Sequence, residues 1–195
     1  MKNATGLGMA LCLLATSGCV THITTDLIHN PPPAEKFSSF NRFELAPIQM
    51  GPPYDSQEGN EKARAKIQQN VSATMDPVLR QWNEDGAKAG GSRTLLIQPS
   101  IREIKFLNAT VRVWTGWMSG SSAVILDARI TEKETGRVVA TPMFYARAAA
   151  MSGAVSFGAA DNAMLIRIAS RLTTYLRDNY PEAVGGITGQ DERNK

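Results

Sequence analysis

The side chains best suited to covalent or metal chemistry are scarce in this 195-residue chain and lie near its beginning. It has two cysteines, Cys12 and Cys19, and two histidines, His22 and His29. A serine or cysteine nucleophile needs a histidine beside it in the folded body, and a zinc site needs several Cys or His ligands. Because neither residue type occurs after residue 29, the sequence predicts no catalytic residues of these classes and no metal site.

Carboxylates are the remaining candidates for acid–base chemistry. Asp127 falls on a predicted strand, and Glu132 and Glu134 fall in the hairpin loop predicted to follow it. A carboxylate-only hydrolase needs two such groups to converge on a substrate, whereas we expect charged side chains in a hairpin turn to be solvated. We therefore expect the chain not to be an enzyme, with such a hydrolase as the third alternative.

Cys19 has a distinctive context. Lys2 precedes an apolar, uncharged segment, residues 7–15, which has the length of a secretory signal peptide and is too short to span a bilayer. Thr16-Ser17-Gly18 before Cys19 resembles the bacterial lipobox, although Thr16 stands where that motif prefers leucine. The resemblance implies cleavage before Cys19 and covalent diacylglycerol and N-acyl (palmitate) lipid on it. Plain secretion and an uncleaved anchor are the alternatives.

The predicted location follows from this cysteine. Val20 after Cys19 favours the periplasmic side of the outer membrane, by resemblance to Gram-negative sorting rules; the inner membrane and secretion are the alternatives. Two or three acyl chains hold a protein on a bilayer, whereas one alone is marginal. The net charge is +3 and no two Lys or Arg residues are adjacent, so we expect a membrane but no nucleic acid as partner.

The chain divides into four parts. Residues 1–18 are the predicted signal peptide, and residues 19–38, which include three successive prolines, are predicted to be a lipidated tether. Residues 39–181 are predicted to form one domain, because an apolar content of 43% is ordinary for a globular protein. Residues 182–195 are predicted to be a disordered tail.

The order of elements predicts the fold class. Strand patterns cover residues 40–50, 95–107, 122–131 and 137–149, with a bulge near Arg102-Glu103. Apolar residues spaced by three and four predict a helix over residues 60–85, which Pro77 should kink or split, and a second from residue 161. The resulting β-α-β-β-β-α order predicts an α+β, two-layer sandwich with a four-stranded mixed sheet and two helices on one face. The first two strands should be parallel, and the rest should form an antiparallel meander.

A further strand pattern, residues 108–118, contains the first candidate contact residues: Trp114, Trp117 and Met118, around Gly116. One interpretation is an exposed aromatic contact for a partner or lipid. The alternative is the apolar filling of a strand end that glycine allows to bend.

The second candidate is the outer face of the sheet. Alternation over residues 122–131 directs Val124, Leu126, Ala128 and Ile130 toward the helices and leaves Ile125 outside. Tyr145 is predicted to join Ile125 there, together with Val139 and Met143. A partly apolar open face suits self-association or a protein partner, and a solvated face with scattered apolar residues is the alternative.

The layout of residues 40–180 also resembles a known group. Residues 116–120 lead into Val124–Ile130, Thr135–Val139 turn a hairpin, and an amphipathic helix follows. This resembles small bacterial lipoproteins of a family of unknown function, and it looks like the domain shared by the curli-secretion lipoprotein and the TolB amino-terminal domain. The resemblance implies an envelope location and a non-catalytic interaction role, with no active-site residues.

Together these features predict a membrane-anchored periplasmic lipoprotein with a protein-binding or envelope-assembly accessory role. A small-ligand-binding or transporter-auxiliary lipoprotein is the alternative. No cofactor is expected beyond the lipid on Cys19.

Overall fold

The computed structural model describes residues 27–105, 122–148 and 159–190, and it confirms the α+β class, with two helices and a mixed sheet. The strands are β1 (His29–Asn30), β2 (Arg42–Leu45), β3 (Gln49–Met50), β4 (Thr94–Lys105), β5 (Ala123–Glu132), β6 (Val138–Ala140), β7 (Met143–Arg147) and β8 (Gly186–Ile187). The helices are α1 (Glu58–Ala89) and α2 (Ala159–Asp178), and Phe37–Ser39 form one 3-10 turn.

The main sheet has four strand positions, and the two outer positions are each interrupted at a proline. β2 and β3 both pair with β4 in parallel, and β6 and β7 both pair with β5 in the antiparallel direction. Pro47 lies between β2 and β3, and Pro142 lies between β6 and β7. Proline has no N–H to donate to a neighbouring strand, so within a sheet it occurs mainly in outer strands and at interruptions. The predicted four-stranded sheet is therefore present, with both outer strands broken in two.

The strand pairing follows the prediction. β2 runs parallel to β4, with Phe43 beside Leu95, and β4 runs antiparallel to β5, with Ile97 opposite Ile130. The register shifts between Ile101 and Glu103, where the bulge is predicted. The candidate strand at residues 108–118 lies outside the described residues.

Helix α1 continues through Pro77, so of the two predicted effects, a kink or a split, the split does not occur. Its apolar stripe, which includes Ile67, Val71 and Met75, is fully buried. A proline removes a helical hydrogen bond from the preceding turn. In that turn the Thr74 carbonyl accepts a hydrogen bond from Arg177 Nη2 of α2 at 3.2 Å. The second helix therefore supplies a donor close to the position where Pro77 removes a helical hydrogen bond.

Two glycines near the end of α1 have different roles. Gly90 ends the helix in the left-handed conformation, with φ of 68°, which glycine adopts without steric cost. Gly86 lies inside the helix, where a Cβ atom would overlap the main chain of Asn41. Gly86 therefore lets the segment before β2 pack directly against α1.

Both helices pack on the same face of the main sheet, as predicted. The buried stripe of α2, including Met164, Ile168 and Leu172, belongs to one core with the stripe of α1. The sheet contributes the four residues that alternation places there: Val124, Leu126, Ala128 and Ile130. Trp82 stacks on Tyr180 with ring centroids 4.1 Å apart, so this tryptophan is part of the core.

Residues on both sides of the predicted domain, 39–181, pack against it. Within the described part of the predicted tether, Asn30 and Phe37 are fully buried. In the predicted tail, β8 pairs antiparallel with β1, so residues 182–190 are ordered against the domain. Hydrogen bonds to residues distant in the chain hold both segments, and such bonds leave no periodic signal in the local sequence.

Candidate interaction surfaces

Two of the predicted contact residues, Ile125 and Tyr145, lie directly opposite each other across the β5–β7 pair. The other three, Trp114, Trp117 and Met118, lie outside the described residues, as does the lipid acceptor Cys19. The structure therefore tests the outer-face prediction and leaves the tryptophan cluster and the lipid site as predictions.

The outer face is closed where Ile125 and Tyr145 lie, because these side chains are only 1% and 2% exposed. They form a small buried cluster with Ala123 and Met143, separate from the main core. Ile125 and Tyr145 lie on the outer face of the sheet, as predicted, but they are not exposed there, so this part of the prediction is wrong. Alternation determines which side of a strand a residue faces, but not what covers that side.

Val139 is also predicted on the outer face, but it belongs to the main core. The register slips between the pairs Thr131–Val138 and Ile130–Ala140, and the strand is then interrupted near Pro142. As a result the alternation changes phase, and Phe144 lies in the main core whereas Met143 and Tyr145 lie in the outer cluster.

Another part of the outer face carries charged, partly exposed side chains. Arg102 pairs with both carboxylate oxygens of Asp127, with an Nε–Oδ2 distance of 2.7 Å. Lys133 Nζ lies 2.6 Å from Glu44 Oε2, and Arg129 is exposed. Exposed ion pairs of this kind contribute between zero and about 1 kcal/mol each. This part of the face matches the alternative of a solvated sheet surface.

A denser ion cluster joins the segment before β2 to the β5–β6 hairpin. Arg93 Nη2 lies 2.7 Å from Glu35 Oε1, and Arg93 Nε lies 2.6 Å from Glu132 Oε1. Arg137 pairs with both of these carboxylates, and the guanidinium of Arg93 lies 4.3 Å from the centre of the Phe40 ring. Two arginines thus bridge two carboxylates from distant parts of the chain.

These contacts keep the hairpin carboxylates ionised. Hydrogen bonding from Arg93, assisted by Thr135, lowers the pKa of Glu132 to about 2, and hydrogen bonds from Thr94 lower the pKa of Glu134. Glu132 is only 8% exposed, so the expectation that it is solvated is wrong. A general acid needs a raised pKa at neutral pH, whereas Glu132 and Glu134 have the opposite shift and contribute to a structural cluster.

The outer edge of β6 and β7 is covered by residues from the two ends of the described chain. The Asn30 side chain donates to the Met143 carbonyl at 2.9 Å and accepts from the Met143 N–H at 2.8 Å. The Thr188 carbonyl accepts from the Tyr145 N–H at 2.8 Å, and the Ala34 N–H donates to the Val139 carbonyl at 2.8 Å. An edge strand with unpaired groups is a template for aggregation, and these contacts occupy that edge.

A buried asparagine also directs the chain from α2 into β8. Asn179 is fully buried; its amide nitrogen donates to the carbonyls of Tyr175 and Gly185, each at 2.8 Å. Its side-chain oxygen accepts from the N–H groups of Val184 and Gly185 at 2.9 and 2.8 Å. The sequence analysis missed both Asn30 and Asn179, because a single asparagine outside a periodic segment carries no signal of its contacts.

β1 and β8, with the flanking residues 27, 28 and 188, form what we call the terminal ribbon. Three of its apolar side chains are exposed: Ile28 is 60% exposed, Ile187 55% and Leu27 42%. Val184, just before the ribbon, is 47% exposed. The sequence does contain a signal for this surface, because residues 27–34 and 183–190 have no Asp, Glu, Lys or Arg in a chain that is 20% charged.

Two further properties bear on the site. No group of three or more His, Cys, Asp or Glu residues that could hold a metal ion occurs in residues 27–105, 122–148 and 159–190. In the same part of the chain, neither helix is both long enough and apolar enough to span a membrane.

Comparison with known proteins finds likeness at the level of solved structures. No family model matches the chain, and no curated protein matches it. A PelC dodecamer structure from Paraburkholderia phytofirmans matches 80% of this chain and 97% of its own, at 11% identity and a TM-score of 0.41. A Xanthomonas campestris protein of the DUF330 family matches 87% of this chain and 97% of its own, at 15% identity and a TM-score of 0.40.

A third solved structure is a Caulobacter crescentus protein proposed to be a lipoprotein. It matches 75% of this chain and 91% of its own, at 13% identity and a TM-score of 0.35. Because every one of these TM-scores is below 0.5, none of the likenesses assigns the chain to a family. The finer resemblance to the curli-secretion lipoprotein and the TolB domain gains no support from them.

Proposed function

We propose that this chain is a lipid-anchored bacterial envelope protein that acts by binding another protein rather than by catalysis. The observation that carries the proposal is the succession of an apolar leader, small residues, Cys19 and then a folded domain. The described fold already includes Leu27, eight residues after the cysteine (27 − 19). A lipid on Cys19 would hold this domain at a membrane surface, on the periplasmic side of the outer membrane if Val20 acts as expected.

The electrostatics of the domain favour binding over catalysis. The carboxylates of Glu35 and Glu132 are shared between two arginines, and Asp127 is paired with Arg102. Charges that neutralise each other in fixed pairs support a rigid scaffold. An acid–base site instead needs groups with separated pKa values that face a substrate.

Mass spectrometry of the amino-terminal peptide from the native envelope protein tests the anchor. We expect the mature chain to begin at Cys19 and to carry acyl chains, and we expect the Cys19→Ser variant to be soluble after cell lysis. A native chain that retains Met1, or that has a free thiol at Cys19, would contradict the proposed anchor.

Crosslinking in intact envelopes, followed by purification of the chain, tests the binding role. We expect one stoichiometric protein partner, with capture reduced by Trp117→Ala or by Arg129→Glu on the exposed part of the outer sheet face. Arg80→Glu on the exposed surface of α1 is the control and should not reduce capture. Capture that neither Trp117→Ala nor Arg129→Glu weakens would exclude these two surfaces as the contact.

A further inference from the structure

The exposed apolar residues of the described domain are concentrated at one place. Six large apolar side chains are more than 40% exposed within residues 27–105, 122–148 and 159–190: Leu27, Ile28, Val138, Ile166, Val184 and Ile187. Four of the six lie in the terminal ribbon or just before it. Scattered exposed apolar residues are ordinary, whereas a group of them marks a contact surface.

The geometry of the ribbon keeps these side chains at the surface. His29 lies opposite Ile187 in the β1–β8 pair, which places Leu27 diagonally across from Ile187 on the same face of the ribbon. On the other face, Asn30 is held against the main chain of Met143, and Thr188 is fully buried. The ribbon is thus fixed on one side and presents Leu27 and Ile187 on the other.

The ribbon surface also lacks charge. The only titratable side chain in residues 27–34 and 183–190 is His29. Moving a charged group out of water into an apolar environment is costly, whereas an aliphatic group gains from the same move. A surface with exposed Ile and Leu and no fixed charge therefore suits the boundary between lipid headgroups and acyl chains.

Chain length brings this surface close to the proposed anchor. Leu27 is eight positions after Cys19, and at about 3.3–3.6 Å per residue this stretch reaches at most about 30 Å. In contrast, a tether extending to residue 38 would reach more than twice as far. The ribbon is the described part of the domain that is nearest in sequence to the lipid.

We propose that the terminal ribbon rests on the lipid surface into which the acyl chains of Cys19 insert, with Leu27 and Ile187 in contact with lipid. This inference rests on the proposed lipid anchor. The ribbon then acts as a second attachment point that determines which side of the domain faces the bilayer and which side faces the periplasm.

Site-directed labelling of the acylated full mature chain tests the proposal. After cleavage and acylation no free thiol remains, so Ile187→Cys or Leu27→Cys accepts one nitroxide label. In vesicles of phosphatidylethanolamine and phosphatidylglycerol, we expect label at residue 187 to be several-fold more accessible to lipid-soluble oxygen, relative to a water-soluble nickel complex, than label at the matched control Ile166→Cys. Ile166 is the same residue type, is 49% exposed and lies on α2.

The outcomes separate the possible occupants of the surface. Equal accessibility at residues 187 and 166 in vesicles would overturn the inference while leaving the lipid anchor intact. Protection of residue 187 that rises with protein concentration in the absence of vesicles would assign the surface to a second copy and would also overturn it. Two labels per chain instead of one would reveal a free Cys19, in which case the proposed anchor itself fails.

Discussion

Replacing Asn30 tests whether the amino-terminal segment is an integral part of the sheet. Asn30 is fully buried, and its side chain makes both an N–H···O and an O···H–N bond with the main chain of Met143, at 2.9 and 2.8 Å. Asn30→Ala removes both partners and leaves a buried donor and a buried acceptor on β7. Each unsatisfied group costs about 1–3 kcal/mol, so we expect the free energy of unfolding to fall by about 2–6 kcal/mol.

Asn30→Asp keeps one of the two hydrogen bonds and removes the other. The carboxylate still accepts from the Met143 N–H, but it faces the Met143 carbonyl without a proton to donate. Burial of the new carboxyl and its contact with this carbonyl both favour the protonated form, so its pKa in the folded protein is raised. Stability relative to the parent protein is therefore highest below the pKa of the unfolded chain, and it is lost as the pH rises through the folded-state pKa.

Urea titration followed by tryptophan fluorescence measures both effects, because Trp82 stacks on Tyr180 in the core. Asn162→Ala, at an exposed position on α2, is the control and should change the midpoint little. If Asn30→Ala unfolds at the same urea concentration as this control, the segment is a dispensable tether and the edge-covering role is refuted.

Three further predictions concern other parts of the fold. The free energy of unfolding should decline as the pH falls from 4.5 toward 2, because Glu132 has a folded pKa of about 2 and its ion-paired form is lost on protonation. Glu132→Gln should flatten this decline in an acid titration followed by circular dichroism. Gly86→Ala should destabilise by about 1–3 kcal/mol because its Cβ overlaps the Asn41 main chain, whereas Gly59→Ala, with open space around it, should raise the melting temperature through helix propensity. Asn179→Ala should accelerate hydrogen exchange at the β8 amides, since all four hydrogen bonds of the Asn179 side chain disappear; unchanged exchange would show that the turn holds without it.

The sequence predicts those features of the fold that repeat along the chain. Alternation from Val124 to Ile130 identifies the helix-facing side of β5, and the phase change near Arg102 identifies the bulge. Both work because the period of a strand is set by its backbone. The change of phase around Pro142 is harder to predict, because it depends on a register shift against the neighbouring strand.

The features that the sequence does not predict depend on single contacts between distant residues. Asn30 reaches Met143 across 113 positions, and Arg93 reaches Glu35 across 58. No local pattern reports such contacts, so the proline-rich segment is interpreted as a tether and the glycine-bearing segment as a disordered tail. The burial of Ile125 and Tyr145 is unpredicted for a related reason, since exposure depends on what packs over a strand.

The β1–β8 pair has a consequence for how the protein is made. It joins His29 to Ile187, 158 positions apart (187 − 29), so it forms only after almost the entire chain has been synthesised. Because closing such a long loop is slow compared with forming local structure, the chain emerges from the ribosome without its final fold. Such a delay would suit the export that the proposed signal peptide implies, since a polypeptide that crosses a membrane through a narrow translocon must remain unfolded until its last residues have passed.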